Sequence, residues 1–242
     1  MKQYSRSRFG DSLNEVSVDC VMFGFHADEL KVLLVKAKDS DIWSLPRGGI
    51  FMREPVEEAA VRVLQETTGI EDVFLQQFYT FGAGQRDKYI MPSKGSRRRG
   101  SKAKRDEESV ISIGYYALVD FEKVVPSLTD MFLWCEISAL PDLQFDHNVM
   151  IELALVALKK DLRYLPIAKL LPRKFTLREM QKLYETILNR SFDRRNFHKL
   201  LMGYDFLIKL SEKKTGTANK SPHLYKINFE RYETALQDGI SY

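Results

Sequence analysis

The sequence predicts an α/β domain, a mixed sheet with flanking helices, followed by a smaller winged helix-turn-helix domain. Three observations predict it. Strand-like and helix-like apolar patterns alternate through the front of the chain, which is the signature of a sheet with helices packed on it. Charge divides along the chain: residues 1–144 carry 19 Lys+Arg against 22 Asp+Glu, and residues 145–242 carry 18 against 11. The basic back also reads helix, turn, basic helix, strand, polar loop, strand, the order of a winged helix. A length of 242 residues is enough for two modest domains.

The composition, 44% hydrophobic and 12% aromatic, is that of a packed globular protein. Cys20 and Cys135 stand far apart in apolar surroundings. They form neither a metal-binding spacing nor a disulfide framework, so no resident metal or cofactor is expected and a reducing cytoplasm is. The opening MKQYSRSRFGDSLNEV is polar, with no signal peptide, and no apolar run reaches the length of a membrane span.

Taken in order, residues 12–160 form the front domain. Val16–Phe25 is a buried-type strand, His26–Glu29 a turn, and Leu30–Lys36 the returning strand of a hairpin. After a turn at Asp39–Asp41 come Trp43, Pro46 and the pair Gly48-Gly49, whose glycines permit unusual backbone angles. Pro55 suits a helix first turn, and Val56, Ala59, Ala60, Val63 and Leu64 then recur at helical spacing up to a Gly69 cap. Strands follow at Val73–Phe81 and Val110–Val119, a short segment at Phe132–Ile137, and a helix at about Asn148–Arg163. Residues 91–105, MPSKGSRRRGSKAKR, hold seven Lys+Arg and no acid; this basic loop cannot build a core and is either solvated or an accessory contact to phosphates. Residues 161–175, with two prolines in YLPIAKLLP, read as a linker, and 176–242 as the second domain.

The stretch Trp43–Ile70 carries the front domain's chemistry. Cleavage of a nucleoside diphosphate derivative needs Mg²⁺ held by several converging carboxylates. Gly48, Glu54, Arg62, Leu64, Glu66, Gly69 and Ile70 stand at the spacing of the box that defines the Nudix family, which this stretch resembles. Where the family carries two further helix glutamates, this chain has Val63 and Thr67. The box is thus vestigial, and it implies binding rather than hydrolysis. The whole chain, through RVLQETTG, YYALV, FDH, FTLREMQKLYETI and DRRNF, resembles the Nudix-related transcriptional regulators, which join a degenerate Nudix domain to a winged helix. That resemblance implies a repressor sensing a small effector, either an ADP-ribose-type metabolite or a pentose such as L-arabinose. The alternative is an active Nudix hydrolase with an accessory DNA-binding domain. By position in the family fold, Trp43, Arg47, Gly48, Phe81, Gln85, Arg86 and Asp87 are the expected effector contacts; Trp43 serves equally well as core.

In the back domain Thr176 and Glu179 form a capping box at the start of an amphipathic helix. Asp193 caps a second helix with Phe197, Leu200, Leu201 and Tyr204 inward and Arg194, Arg195, Asn196, His198 and Lys199 outward. The N-terminal residues of such a helix meet base edges, where Arg reads guanine and Asn reads adenine, and Lys199 reaches a base or a phosphate. Arg173, Lys174 and Thr176 are placed for phosphates, and Lys213, Lys214 and Lys220 for the wing. One such module reads few base pairs, so a homodimer on a palindromic duplex operator is expected. The helix at Asn148–Arg163 links the domains or packs on its copy.

Overall fold

The computed structural model describes residues 16–37, 41–70, 73–82, 111–121, 130–215 and 221–240. The basic loop 91–105, the contacts Gln85, Arg86 and Asp87, and Lys220 lie outside them.

The front domain is a mixed sheet built around β1 (Val16–His26). β1 runs parallel to β5 (Ile111–Leu118) and antiparallel to β2 (Glu29–Ala37) and the short β3 (Arg47–Gly49). β4 (Phe74–Phe81) extends the sheet beyond β5, and β6 (Asp130–Glu136) beyond β2. The β1–β2 turn is two residues long, with Ala27 and Asp28 both at positive φ, the geometry that matches strand twist.

Both faces of β1 are covered, which explains its unbroken apolar run. Val18, Cys20 and Met22 face α1 (Val56–Thr68), where Ala59, Ala60, Val63 and Leu64 pack. Val21, Phe23 and Phe25 face the opposite way, toward α2 (His147–Asp161) and its Met150, Ile151, Ala154 and Leu158. One face of α2 is therefore spent on its own sheet, while Val156 stays exposed. α1 ends at Gly69, whose φ of 70° fits the left-handed cap.

The back domain contains α3 (Leu177–Leu188), α4 (Arg194–Gly203), the hairpin β7 (Leu207–Lys213) and β8 (His223–Ile227), and a helix the sequence reading omits, α5 (Phe229–Asp238). The side chain of Asn228 caps α5 by accepting from Arg231 N. The capping box of α3 is present in full, and Asp193 accepts from Asn196 N at the start of α4.

The expected linker is a correction. Leu162, Leu165, Ile167, Ala168, Leu170 and Leu171 are all buried, and the segment forms two 3-10 turns. The prolines break helix here without freeing the chain. α5 holds the segment down: Tyr232 Oη accepts from Ala168 N at 3.3 Å, and Ile240 N donates to Arg163 O at 2.8 Å. The front and back cores are consequently one continuous apolar cluster, and Thr186 Oγ1 donates to Asp28 O across it at 3.1 Å.

Candidate functional site

The box residues form a braced turn. Arg62 donates from Nε to Glu54 Oε1 at 2.7 Å and from Nη2 to Glu54 Oε2 at 3.0 Å and Gly49 O at 2.8 Å. Phe51 N donates to Glu54 Oε2 at 2.8 Å, so both Glu54 oxygens are in use. The Arg62 hydrogen bond, first, and the Phe51 N–H hold the Glu54 carboxyl below its usual range. Glu66 is exposed and, among the described residues, pairs with Arg62 alone, at 3.3 Å.

The two positions lacking carboxylates are occupied in ways that do not suit an ion. Val63 is buried and lies so close to Gly48 that a Cβ there would fall 2.5 Å from its Cγ2. This close approach is why residue 48 is glycine, and neither Gly48 nor Gly49 takes a positive φ, which corrects the expectation of unusual backbone angles. Thr67 Oγ1 donates back to Val63 O at 2.6 Å, so its hydroxyl is spent on its own helix.

A second polar centre lies on the other face of the sheet, and sequence reasoning missed it. Asp19, buried on β1, accepts from Ser17 Oγ at 3.3 Å and from Ser112 Oγ, and Arg47 Nε forms an ion pair with its Oδ1 at 3.4 Å. His147 Nδ1 accepts from Leu45 N at 3.0 Å, which leaves the ring proton on Nε2 to be donated to Asp19 Oδ1 at 3.1 Å. Burial opposes the Asp19 charge, but the hydrogen bond from His147, the Arg47 guanidinium and the Ser112 hydroxyl outweigh it, holding the carboxyl below its ordinary range. Its signals in the sequence were a lone acid inside an apolar strand, VSVDCVMF, and the FDH word at 145–147, and neither shows that Asp19 and His147 meet.

Arg47 projects from this centre to the surface, its guanidinium 4.3 Å from the Phe145 ring centroid. Phe145 has a φ of 56°, strain for a non-glycine residue that places its ring there. Trp43 is half-buried with Lys36 Nζ 5.2 Å from its ring, and its carbonyl accepts from Gln144 N. Trp43, Arg47 and Phe145 thus share one rim beside β3. Phe81, expected here, is instead core: it packs in the α2-side cluster, where Gly114 makes room for its ring.

In the back domain Arg194, Arg195, Asn196 and Lys199 are all exposed on α4, while Phe197 and Leu201 anchor its other face. His198 is half-buried, and burial with the neighbouring Arg194 charge lowers its pKa. Arg173 and Lys213 are exposed. Lys174 pairs with Glu212 and Lys214 with Glu179, each at 2.7 Å, in exposed pairs that a phosphate can displace at little cost. Thr176, expected on phosphate, is buried with its hydroxyl committed to the capping box, and its assignment is corrected to helix cap.

The NUDIX domain family model matches residues 13–152, and the NrtR DNA-binding winged helix domain model matches 167–227. The chain is 26% identical over 254 residues to the "ADPR responsive transcriptional repressor NtrR" of Acinetobacter baylyi, spanning 100% of this chain and 92% of that protein. Its fold is similar to that of Shewanella oneidensis NrtR complexed with a 27mer DNA, at 25% identity and a TM-score of 0.70, covering 89% of this chain and 94% of that one. The crystal structure of Shewanella oneidensis NrtR without DNA is similar at 27% identity and a TM-score of 0.69, covering 88% and 94%. With the braced box turn in front and the capped, basic second helix behind, the chain belongs to the NUDIX family and carries an NrtR-type DNA-binding winged helix after that domain.

Proposed function

We propose that this protein is a DNA-binding transcriptional repressor whose front domain binds a small effector without cleaving it. One observation carries the DNA half. Arg194, Arg195, Asn196 and Lys199 stand exposed along the start of a helix whose other face is anchored in the core. That is the presentation major-groove readout needs. Arg173, Lys174, Lys213 and Lys214 flank it and supply phosphate contacts. A homodimer reads the two halves of a palindromic operator, and effector binding changes the spacing of the two winged helices.

Binding without turnover is supported by Val63, which fills the place of a carboxylate, and by Glu54, whose oxygens are both taken. An ADP-ribose-type metabolite is the first candidate effector, because the Acinetobacter relative, similar over the full chain, is named as ADPR responsive. A pentose such as L-arabinose is the second. Val63 and Thr67, standing where two carboxylates would hold the cation a diphosphate uses, favour it. Trp43, Arg47 and Gly48 form the proposed contact rim.

The test is a gel shift on operator DNA with each effector added. Arg195→Ala is expected to lower specific affinity by about 1–3 kcal/mol, the range for a lost bidentate base contact. Unchanged operator binding by that variant sinks the assignment of α4. A phosphate-release assay with ADP-ribose and Mg²⁺ addresses the hydrolase alternative, and turnover at ordinary enzyme rates overturns the sensor reading.

A further inference from the structure

Between the front domain and the back domain lies a cleft of about 570 Å³, within the size range of small-molecule sites. Its apolar lining comes from Leu118 and Val119 at the end of β5, Ala168 and Leu171 of the buried connecting segment, and Ile227 and Phe229 at the junction of β8 and α5. Phe229 is a large apolar side chain left 56% exposed.

The charges around it select a ligand. Lys169 and Asp120 line the cleft but are already engaged with other groups. Arg173, Lys226 and Glu233 also line it and make no ion pair among the described residues. Two unpaired cations and one unpaired carboxylate suit one anionic group and a hydroxyl donor. A diphosphate would set its second charge against Glu233. An exposed aromatic ring suits the flat face of a sugar.

We infer that this seam is a second ligand site, for a monosaccharide-sized anion, held by Arg173 and Lys226 through its charge, by Glu233 through a hydroxyl and by Phe229 through its ring face. Sugar phosphates and sugar acids share that chemistry. The site is distinct from the rim at Trp43 and Arg47. Its effect on DNA rests on the repressor reading above; its binding does not. Arg173 lines the cleft and is also one of the phosphate contacts proposed above, so an occupant takes a guanidinium that would otherwise meet a phosphate.

The experiment is calorimetric titration of the full chain, free of DNA, with ribose 5-phosphate, glucuronate and neutral ribose. At least one anion binds and ribose does not; which anion binds identifies the source. Lys226→Glu, at an exposed position, weakens that binding by about tenfold or more, the weight of a charge-assisted hydrogen bond. Lys160→Glu, the same charge change at an exposed position outside the cleft, leaves it unchanged. Circular dichroism melts confirm that both variants fold. No binding of either anion at millimolar concentration, equal binding of ribose, full binding by Lys226→Glu, or loss in Lys160→Glu overturns the site. Failure of the operator gel shift, by contrast, leaves the cleft standing and removes only its role in DNA release.

Discussion

The three residues of β3 join two charge clusters built by opposite rules. At one end Gly49 offers its carbonyl to Arg62, which also grips Glu54, in an assembly that is half-buried and open to solvent on the Glu66 side. At the other end Arg47 reaches from the surface back to Asp19, which with His147 is sealed between the sheet and α2. The first cluster bears the residues of a recognisable motif, yet water can replace most of its contacts. The second bears no box, yet Asp19 and His147 are both buried, so water cannot take over the bond between them. Motif outline and energetic weight have come apart in this fold.

The sharpest way to break that contrast is Asp19→Ala. The change strands the Nε2–H of His147 and the hydroxyl of Ser112 in a dry site and removes the charge partner of Arg47. Removing one partner of a buried pair costs about 3–5 kcal/mol, and a loss in that range by urea unfolding is expected. A loss no larger than that of a surface substitution would mean that the buried cluster is no more important than the exposed one.

Acid titration tests the same cluster by a different route. The Asp19 carboxyl is held below 3.8, its ordinary value, in the folded chain. Its contribution to stability is therefore fully present above the unfolded pKa and is lost as pH falls through the lower folded one. Stability of the native chain should decline on acidification below about pH 4. Asp19→Asn, melted across the same pH series, should show a shallower acid limb; an identical limb would remove Asp19 from the account.

Much of the fold was legible from periodicity. The apolar spacing from Val56 to Leu64 is α1, the Thr176–Glu179 box starts α3, and Asp193 caps α4. What escaped was decided by distant partners. Asp19 and His147 are 128 residues apart, so neither could be seen to satisfy the other. Phe81 looked like a pocket residue from its place beside a loop, but the pleat of β4 turns it into the core where Gly114 leaves space. α5 was hidden because Asn228 and Phe229 continue the alternation of β8, and only the cap geometry shows that the strand has ended. The connecting segment looked free because prolines punctuate it, whereas its leucines and isoleucine are what weld the two domains together.

The box cluster supplies the smaller effects. Arg62→Ala removes two bonds to Glu54 and one to the Gly49 carbonyl, but all these partners lie near solvent. Water takes over part of each contact, so the expected loss is about 1–2 kcal/mol rather than the sum of the bonds. Glu66→Ala cuts only an exposed pair spaced one helical turn, and its loss should stay within about 0.5 kcal/mol. The ranking matters more than either value. If Glu66→Ala destabilises as much as Arg62→Ala, then Glu66 does more than pair with Arg62, and a role in ligand or ion binding returns to the box. If the ranking holds, Arg62 is the brace that keeps β3 in place, and the same strand carries Arg47 to the rim where the effector is proposed to bind.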